Sequence, residues 1–205
     1  MMSIQTPRCC NMSELPDAAL ERAQLPLKNA DDTGIQTPTL LQVHLAHGLA
    51  YTAGSALGFT PPSVETCLAS FLVPNKAGLT AGARAWSKHF HRSMPLSSSS
   101  QELAAQRKAS SGWWGVPSGP VSTINERALN LFRRIVVENA TWRNLHWLPH
   151  QVLVYEVRVE EGYGMRWSQG RRDDSGTGEQ IDREWVFRGF VEPMMENGHE
   201  SGWRH

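Results

Sequence analysis

The sequence predicts an α+β fold, with helices in the N-terminal half packed on a curved antiparallel sheet from the C-terminal half. Apolar residues recur at helical spacing up to about residue 140, and after it they alternate with polar residues, as in strands. Breaks at Pro149 and Glu161-Gly162 separate the strand segments, as expected for an antiparallel run. Helices that come first and strands that follow are the order typical of this class.

The chain divides into a lead and one domain. Residues 1–37 mix Pro, Ser, Asp and Thr without a sustained apolar period, which predicts a flexible N-terminal lead. Residues 38–205 are predicted to form a single α+β domain, because a chain of 205 residues can bury a full core in one unit.

Two short helical segments open the domain. Leu41, Leu45 and Leu49 form a stripe at four-residue spacing, which predicts a helix over about 39–58. Ser63, which follows two prolines, is an N-cap residue and predicts a second helix that continues to about residue 70.

Two longer helices follow, with an insertion between them. Residues 79–92 have an apolar stripe and an opposite basic stripe, which predicts an amphipathic helix. The Ser-rich stretch near 93–112 is predicted to be an exposed insertion. Residues 122–140 keep the helical period, and Thr123 with Glu126 fits a capping box at its start.

The C-terminal third predicts the sheet. Alternation of apolar and polar residues is clearest over 151–159. The other strands are predicted at 142–148, 163–168 and 185–191. The charged, Gly-rich stretch near 169–184 is predicted to be a mobile loop.

Composition excludes several function classes. The formal net charge is zero, so the chain as a whole has no field that would attract a polyanion, and nucleic acid is possible as a partner but not indicated. Cys9, Cys10 and Cys67 form neither a disulfide framework nor a thiolate zinc pattern, which fits a reducing, cytoplasmic location. The N-terminus lacks the basic-then-apolar pattern of a signal peptide, and the apolar stretch 40–59 is too interrupted to predict a membrane partner. The sequence indicates no cofactor.

Charged residues on one sheet face form the first candidate site. In strand 151–159, Glu156 and Arg158 share a face, and the following strands add Arg166 and Arg188. Several arginines at one place can clamp a phosphate or carboxylate, with Glu156 as a proton acceptor or orienting group. The alternative is a ladder of cross-strand ion pairs on a solvated face.

Histidines and tryptophans supply the other candidates. His146 and His199 are candidates for general acid–base catalysis together with Glu156, because one imidazole and one carboxylate suffice. His44 and His47 have helical ligand spacing but no acidic partner, and the histidines form no closed zinc pattern, so no metal site is predicted, while a site assembled from histidines distant in the sequence stays open. Exposed indole rings stack bases or sugars, and the candidate ligand-binding tryptophans are Trp113, Trp114 and Trp203. The other tryptophans are predicted to lie in the core.

These residues predict a pocket of His, Arg, Glu and Trp that binds a small anionic or ring-bearing molecule, and leave open whether it performs acid–base catalysis. One alternative is a non-catalytic module that binds nucleic acid or protein through exposed Trp and Arg. The other is a purely structural protein whose polar clusters are internal networks.

The chain also resembles an uncharacterised conserved family. The resemblance covers roughly residues 79–205, and its most specific part is the C-terminal pattern Phe187-Arg188-Gly189-Phe190, then Glu-Pro, Gly-His and Gly-Trp-x-His. Upstream it includes Lys88-His89-Phe90-His91-Arg92 and Trp113-Trp114-Gly115. No activity is established for that family, so the resemblance implies no catalytic residue.

Overall fold

The protein is described here by a computed structural model that covers residues 6–28, 37–93, 112–173 and 180–194. Its elements confirm the α+β class. The helices, in chain order, are α1 (Asp17–Lys28), α2 (Leu40–Ala46), α3 (Val64–Leu72), α4 (Ala81–His89), which runs into a 3-10 turn (Phe90–Ser93), and α5 (Val121–Phe132), which runs into a π-helical turn (Arg133–Glu138). The strands are β1 (Trp142–Leu148), β2 (Val152–Arg158), β3 (Gly164–Asp173), β4 (Gln180–Asp182) and β5 (Val186–Val191).

The five strands form one antiparallel sheet. β1 pairs with β2 and β2 with β3, while β4 and β5 pair with different parts of β3. The register places Glu156 opposite Asn144 on β1 and opposite Arg166 on β3. Between β3 and β5 a bulge interrupts the register next to Arg166, and Gly189 there has a φ of 134°, which favours glycine.

The sheet has an apolar face and a polar face. Leu153, Tyr155, Val157 and Trp167 belong to the core cluster together with residues of α3, α4 and α5. The Trp167 indole Nε1–H donates to the carbonyl of Cys67 in α3 at 3.1 Å, which fixes that helix on the sheet. Because side chains alternate along a strand, the intervening residues face the other way, and this second face carries the candidate site.

Local capping sets the starts of most helices. Ser63 caps α3 as predicted, accepting from the Thr66 amide, and Thr80 caps α4 by accepting from the Ala83 amide. The predicted capping box at Thr123 is wrong: α5 begins earlier, after Pro120, and has no side-chain cap. Proline at this position already fixes φ in the range that a helix start requires.

The predicted helix over 39–58 is too long. α2 ends at Ala46, and the following chain runs along the outer edge of β1. Ala50 and Ala56 donate their amides to carbonyls of β1 at 2.7 and 2.9 Å, and Trp147 of β1 donates to the Gly54 carbonyl at 2.9 Å. This segment therefore provides hydrogen-bond partners for the backbone groups at the edge of β1. These hydrogen bonds outweigh the helical preference that the leucine stripe indicated.

The N-terminal lead contains structure that the sequence did not predict. α1 lies within it, and the buried Arg22 side chain of α1 forms an ion pair with Glu14 at 2.7 Å. The amides of Arg8 and Cys10 donate to carbonyls of Thr141 and Glu160, at 2.9 and 2.8 Å. The domain start at residue 38 stays a prediction.

Two loops were predicted from the sequence, near 93–112 and near 169–184. Almost all of the Ser-rich insertion 93–112 lies outside the described residues. The loop 169–184 is shorter than predicted, because β3 continues to Asp173 and pairs with β4 over Gln180–Asp182. Among the helices in the described part of the chain, none is long and apolar enough to span a membrane.

Candidate functional site

An open cleft of about 840 Å³ lies where the polar face of the sheet meets the C-terminal end of α4. Six basic side chains and one carboxylate line it: Lys88, His89, Arg92, His150, Arg166, Arg188 and Glu192. Its apolar lining includes Val152 and Val154 of β2, which alternate with core residues of that strand. The cleft is therefore strongly cationic, although the chain has no net charge.

Below the cleft, Glu156 joins two arginines. One carboxylate oxygen accepts from Arg158 Nε at 2.6 Å, and the other accepts from Arg166 Nε at 2.8 Å. Glu156 and Arg158 are only 3% and 1% exposed, so the predicted ion pairs exist but the face is not solvated. Burial raises the pKa of Glu156, but the charges and hydrogen bonds of Arg158 and Arg166 outweigh this and hold the pKa below its ordinary value.

Arg158 also connects this network to the end of β5. Its Nη1 donates to the carbonyls of Gly162 and Glu192, at 2.5 and 2.6 Å. Gly164 makes room for it, because a Cβ there would lie 2.7 Å from Arg158 Cγ and 2.3 Å from the Val157 carbonyl. The buried guanidinium therefore fixes the backbone position from which the Glu192 side chain enters the cleft.

In the cleft, Glu192 pairs with a histidine. One carboxylate oxygen contacts His89 Nε2, and the other lies 4.0 Å from Arg92 Nη1. The His89 ring packs edge-on against the buried Trp114 ring, with centroids 5.9 Å apart. His89 and Glu192 are not among the site residues predicted from the sequence. The sequence feature that could have indicated His89 is the basic run from Lys88 to Arg92 at the end of the amphipathic helix.

Three cations of the cleft are available to a ligand. Arg188 is exposed at the β5 bulge, and neither it nor Lys88 forms an ion pair with any carboxylate in the described part of the chain. Arg166 is held by Glu156 but its side chain remains 24% exposed to the cleft. Free or partly free guanidinium groups are suited to contacts with phosphate oxygens.

The predicted catalytic histidines have different outcomes. His146 lies on the polar face of β1, near Glu156, but not in the lining of the cleft. Burial lowers the pKa of His146; the Glu156 charge opposes this shift, and the charges of Arg166 and Arg158 add to it. Its Nδ1 finds no hydrogen-bond partner within the described ranges. His199 lies outside the described residues, as does Trp203.

The two neighbouring tryptophans are less exposed than predicted. Trp114 is buried, with 2% of its surface exposed, and belongs to the core. Trp113 is partly buried between two groups: it stacks on Tyr163 with centroids 4.3 Å apart, and Arg134 lies 4.3 Å from its ring centroid. Neither ring therefore presents a free face of the kind that base stacking requires.

Metal ligands do not converge among the residues that the structure describes, since no group of three or more His, Cys, Asp or Glu there is placed to hold an ion. The cleft itself is lined by imidazole, carboxylate, guanidinium and ammonium groups. A histidine with a carboxylate partner can transfer protons, and the arginines can stabilise a negative charge.

Comparison with known proteins shows similarity to a nuclease family over part of the chain. Residues 96–192, just under half of the chain, match the family model of the CdiA C-terminal tRNase toxin domain. This match is more specific than the predicted resemblance to an uncharacterised family, and it does not test the C-terminal pattern of that resemblance, most of which lies beyond residue 192. No curated protein and no solved structure shows significant similarity to the chain.

This match contradicts two predictions. The prediction of a pocket for a small anionic or ring-bearing molecule is wrong, because the matching family is named for cleavage of tRNA, which is a polymer. The partner prediction, which put a small molecule before nucleic acid, is wrong for the same reason. The zero net charge of the chain does not reveal the local positive charge that Lys88, Arg92, Arg166 and Arg188 give the cleft. The alternative of a nucleic-acid-binding module agrees better with the match.

Proposed function

We propose that this protein is a ribonuclease that cleaves tRNA and that the cationic cleft is its active site. The observation that carries the proposal is the match of residues 96–192 to a tRNase toxin domain. His150, Arg166, Arg188 and Glu192 of the cleft lie within the matched segment. The remaining cationic groups come from the end of α4, just before it.

The charge of the cleft supports an RNA substrate. Contacts to phosphate oxygens supply most of the affinity of proteins for nucleic acids and position the chain on the substrate. Lys88 and Arg188 have no carboxylate partner in the described part of the structure, so phosphate binding would not first have to break an ion pair. Glu156 holds the Arg166 side chain in its orientation, and we therefore assign Glu156 the role of a positioning residue rather than that of a base.

The His89–Glu192 pair supports a reaction that uses the 2′-hydroxyl of the RNA. Glu192 favours the His89 tautomer with the proton on Nε2, which leaves Nδ1 to accept the 2′-hydroxyl proton. O2′ then bonds to phosphorus and the bond from phosphorus to O5′ breaks, while Arg166 and Arg188 stabilise the charge on the phosphoryl oxygens. His150, which lines the same cleft, returns a proton to the departing O5′. The products are a 2′,3′-cyclic phosphate and a 5′-hydroxyl.

The first experiment incubates the purified full chain with tRNA and resolves the fragments on a denaturing gel. Cleavage that leaves a 2′,3′-cyclic phosphate is the expected result. His89→Gln should reduce the cleavage rate by about 10²–10⁴, as expected for loss of a general base. Arg127→Ala is the matched control, because Arg127 is exposed on α5 and its one side-chain hydrogen bond within the described ranges is to the Ser118 hydroxyl.

Two results would contradict the proposal in different ways. Binding of tRNA without cleavage would support the non-catalytic binding module instead. Full activity of His89→Gln would leave tRNA cleavage in place but remove His89 as the base, and His146 and His199 would then be the histidines to test.

A further inference from the structure

We infer that the RNA-binding surface continues out of the cleft along the solvent-facing side of α4, where Arg84 contacts a phosphate of the RNA chain other than the scissile one. The inference rests on the proposed function. Arg84, Lys88 and Arg92 define this surface, which we call the α4 cationic stripe.

The stripe begins in the cleft and leaves it. Lys88 and Arg92 line the cleft, whereas Arg84 is exposed one helical turn earlier and lies outside the lining. Residues four apart lie on the same side of a helix, separated by a rise of about 6 Å. Arg84 and Lys88 therefore point to the same side of α4, and Arg92, in the 3-10 turn that follows, lines the cleft together with Lys88.

Charge complementarity identifies the occupant as a polyanion. No Asp or Glu occurs in residues 81–93, while the same stretch contains three Lys or Arg and two His. In the described part of the chain neither Arg84 nor Lys88 forms an ion pair, and Arg92 has one carboxylate, Glu192, at 4.0 Å. Other arginines do have carboxylate partners at the surface or below it, such as Arg8 with Glu160 and Arg22 with Glu14.

The helix that carries the stripe is fixed rigidly in the fold. Thr80 caps its start, and Ala83 and Trp86 are buried on its opposite side. The Trp86 indole Nε1–H donates to the Trp114 carbonyl at 3.0 Å. Binding RNA on such an element costs little ordering of the backbone, so the cations can contribute to affinity.

Substitution of Arg84 tests the stripe independently of the active site, because Arg84 lies outside the cleft. Arg84→Ala should raise the KM for intact tRNA and leave kcat unchanged. It should leave cleavage of a dinucleoside monophosphate unchanged, since the single phosphate of this substrate is the scissile one and no other phosphate is present to contact Arg84. Loss of one phosphate contact should also lower the salt slope of tRNA binding by about 0.7–0.9.

The matched control is Arg127→Ala on α5, an exposed arginine of the same type away from the cleft lining. If Arg84→Ala equals this control in KM and in salt slope, the stripe is an ordinary solvated helix face and the inference fails. If the unchanged protein cleaves no tRNA, the proposed function fails instead. Fluorescence anisotropy with labelled tRNA still decides the stripe in that case, because the two variants must differ in affinity.

Discussion

At the scale of single residues, the site is organised by one buried carboxylate. Both carboxylate oxygens of Glu156 accept hydrogen bonds from arginines. One of these arginines, Arg158, also donates to the Glu192 carbonyl and so fixes the backbone there. Breaking a buried ion pair leaves an uncompensated charge, which costs more than the pair itself contributes. Glu156 therefore acts on the cleft through the positions of Arg166 and Glu192.

Replacement of Glu156 should destabilise the protein. Glu156→Gln leaves the buried Arg158 without its counter-charge, and the free energy of unfolding at pH 7 should fall by about 3–5 kcal/mol. Urea denaturation of both proteins measures this difference. Glu160→Gln is the control, because that carboxylate is 61% exposed. A loss no larger than that of the control would mean that Arg158 is satisfied without Glu156.

The same carboxylate gives a pH dependence with a definite sign. The pKa of Glu156 is lower in the folded state than its ordinary value of about 4.3 in the unfolded chain. Its stabilising contribution is therefore complete above the unfolded pKa and is lost as the pH falls through the folded pKa. The difference in unfolding free energy between the wild type and Glu156→Gln should be constant from about pH 5 to 7 and shrink below about pH 4. A difference that grows on acidification would contradict the lowered pKa.

Arg188 tests the phosphate contacts of the cleft. It is exposed and has no ion pair among the described residues, so Arg188→Ala should change the unfolding free energy by less than about 0.5 kcal/mol. Cleavage of tRNA should fall by about 10²–10³, the loss typical of one group that stabilises charge in a transition state. Single-turnover rates and a thermal melt separate the two effects. Equal activity of variant and wild type would remove Arg188 from the site.

At the scale of elements, α4 matters most because it carries Lys88 and His89 into the cleft. It approaches α3 closely at Gly82, where an added Cβ would lie 2.0 Å from the Phe71 ring. Phe71 is buried between Phe132 and Phe187, with ring centroids 5.2 and 4.9 Å away, so the ring has little space to move. The glycine therefore sets the distance of α4 from the core.

Gly82→Ala should push α4 away from α3. Overpacking costs about 1–3 kcal/mol, whereas the change from glycine to alanine improves helix propensity by about 1 kcal/mol. At the upper end of the overpacking range the cost exceeds this gain. A lower unfolding free energy together with slower tRNA cleavage is expected, because displacement of α4 moves His89 relative to Glu192. Arg84→Ala on the same helix is the stability control. Unchanged stability in Gly82→Ala would show that Phe71 can yield.

Elements determined by local sequence were predictable, and elements determined by distant partners were not. Ser63 and the amphipathic period located α3 and α4, and alternation located β2 and the face shared by Glu156, Arg158 and Arg166. The segment that covers the edge of β1 adopts its path because of hydrogen bonds to that strand. The His89–Glu192 pair likewise joins two elements far apart in the sequence, so the spacing of residues along the chain could not predict this contact.

At the scale of the whole molecule, zero net charge coexists with a cationic cleft. Net charge governs attraction at long range, whereas binding depends on the charges that meet the ligand within about 10 Å at moderate salt. For the proposed RNA substrate, attraction is therefore expected only close to the cleft. Binding should therefore respond strongly to salt even though the protein as a whole is neutral.

Salt titration of tRNA binding tests this picture. If Lys88, Arg92, Arg166 and Arg188 each neutralise one phosphate, these four contacts should contribute about −2.8 to −3.6 to the slope of log Kobs against log salt. They would then lower the affinity by roughly 50- to 150-fold between 50 and 200 mM salt. Fluorescence anisotropy with the His89→Gln variant measures binding without cleavage of the RNA. A slope near zero would show that these four side chains do not contact phosphates, and the cleft would then not be the RNA-binding surface.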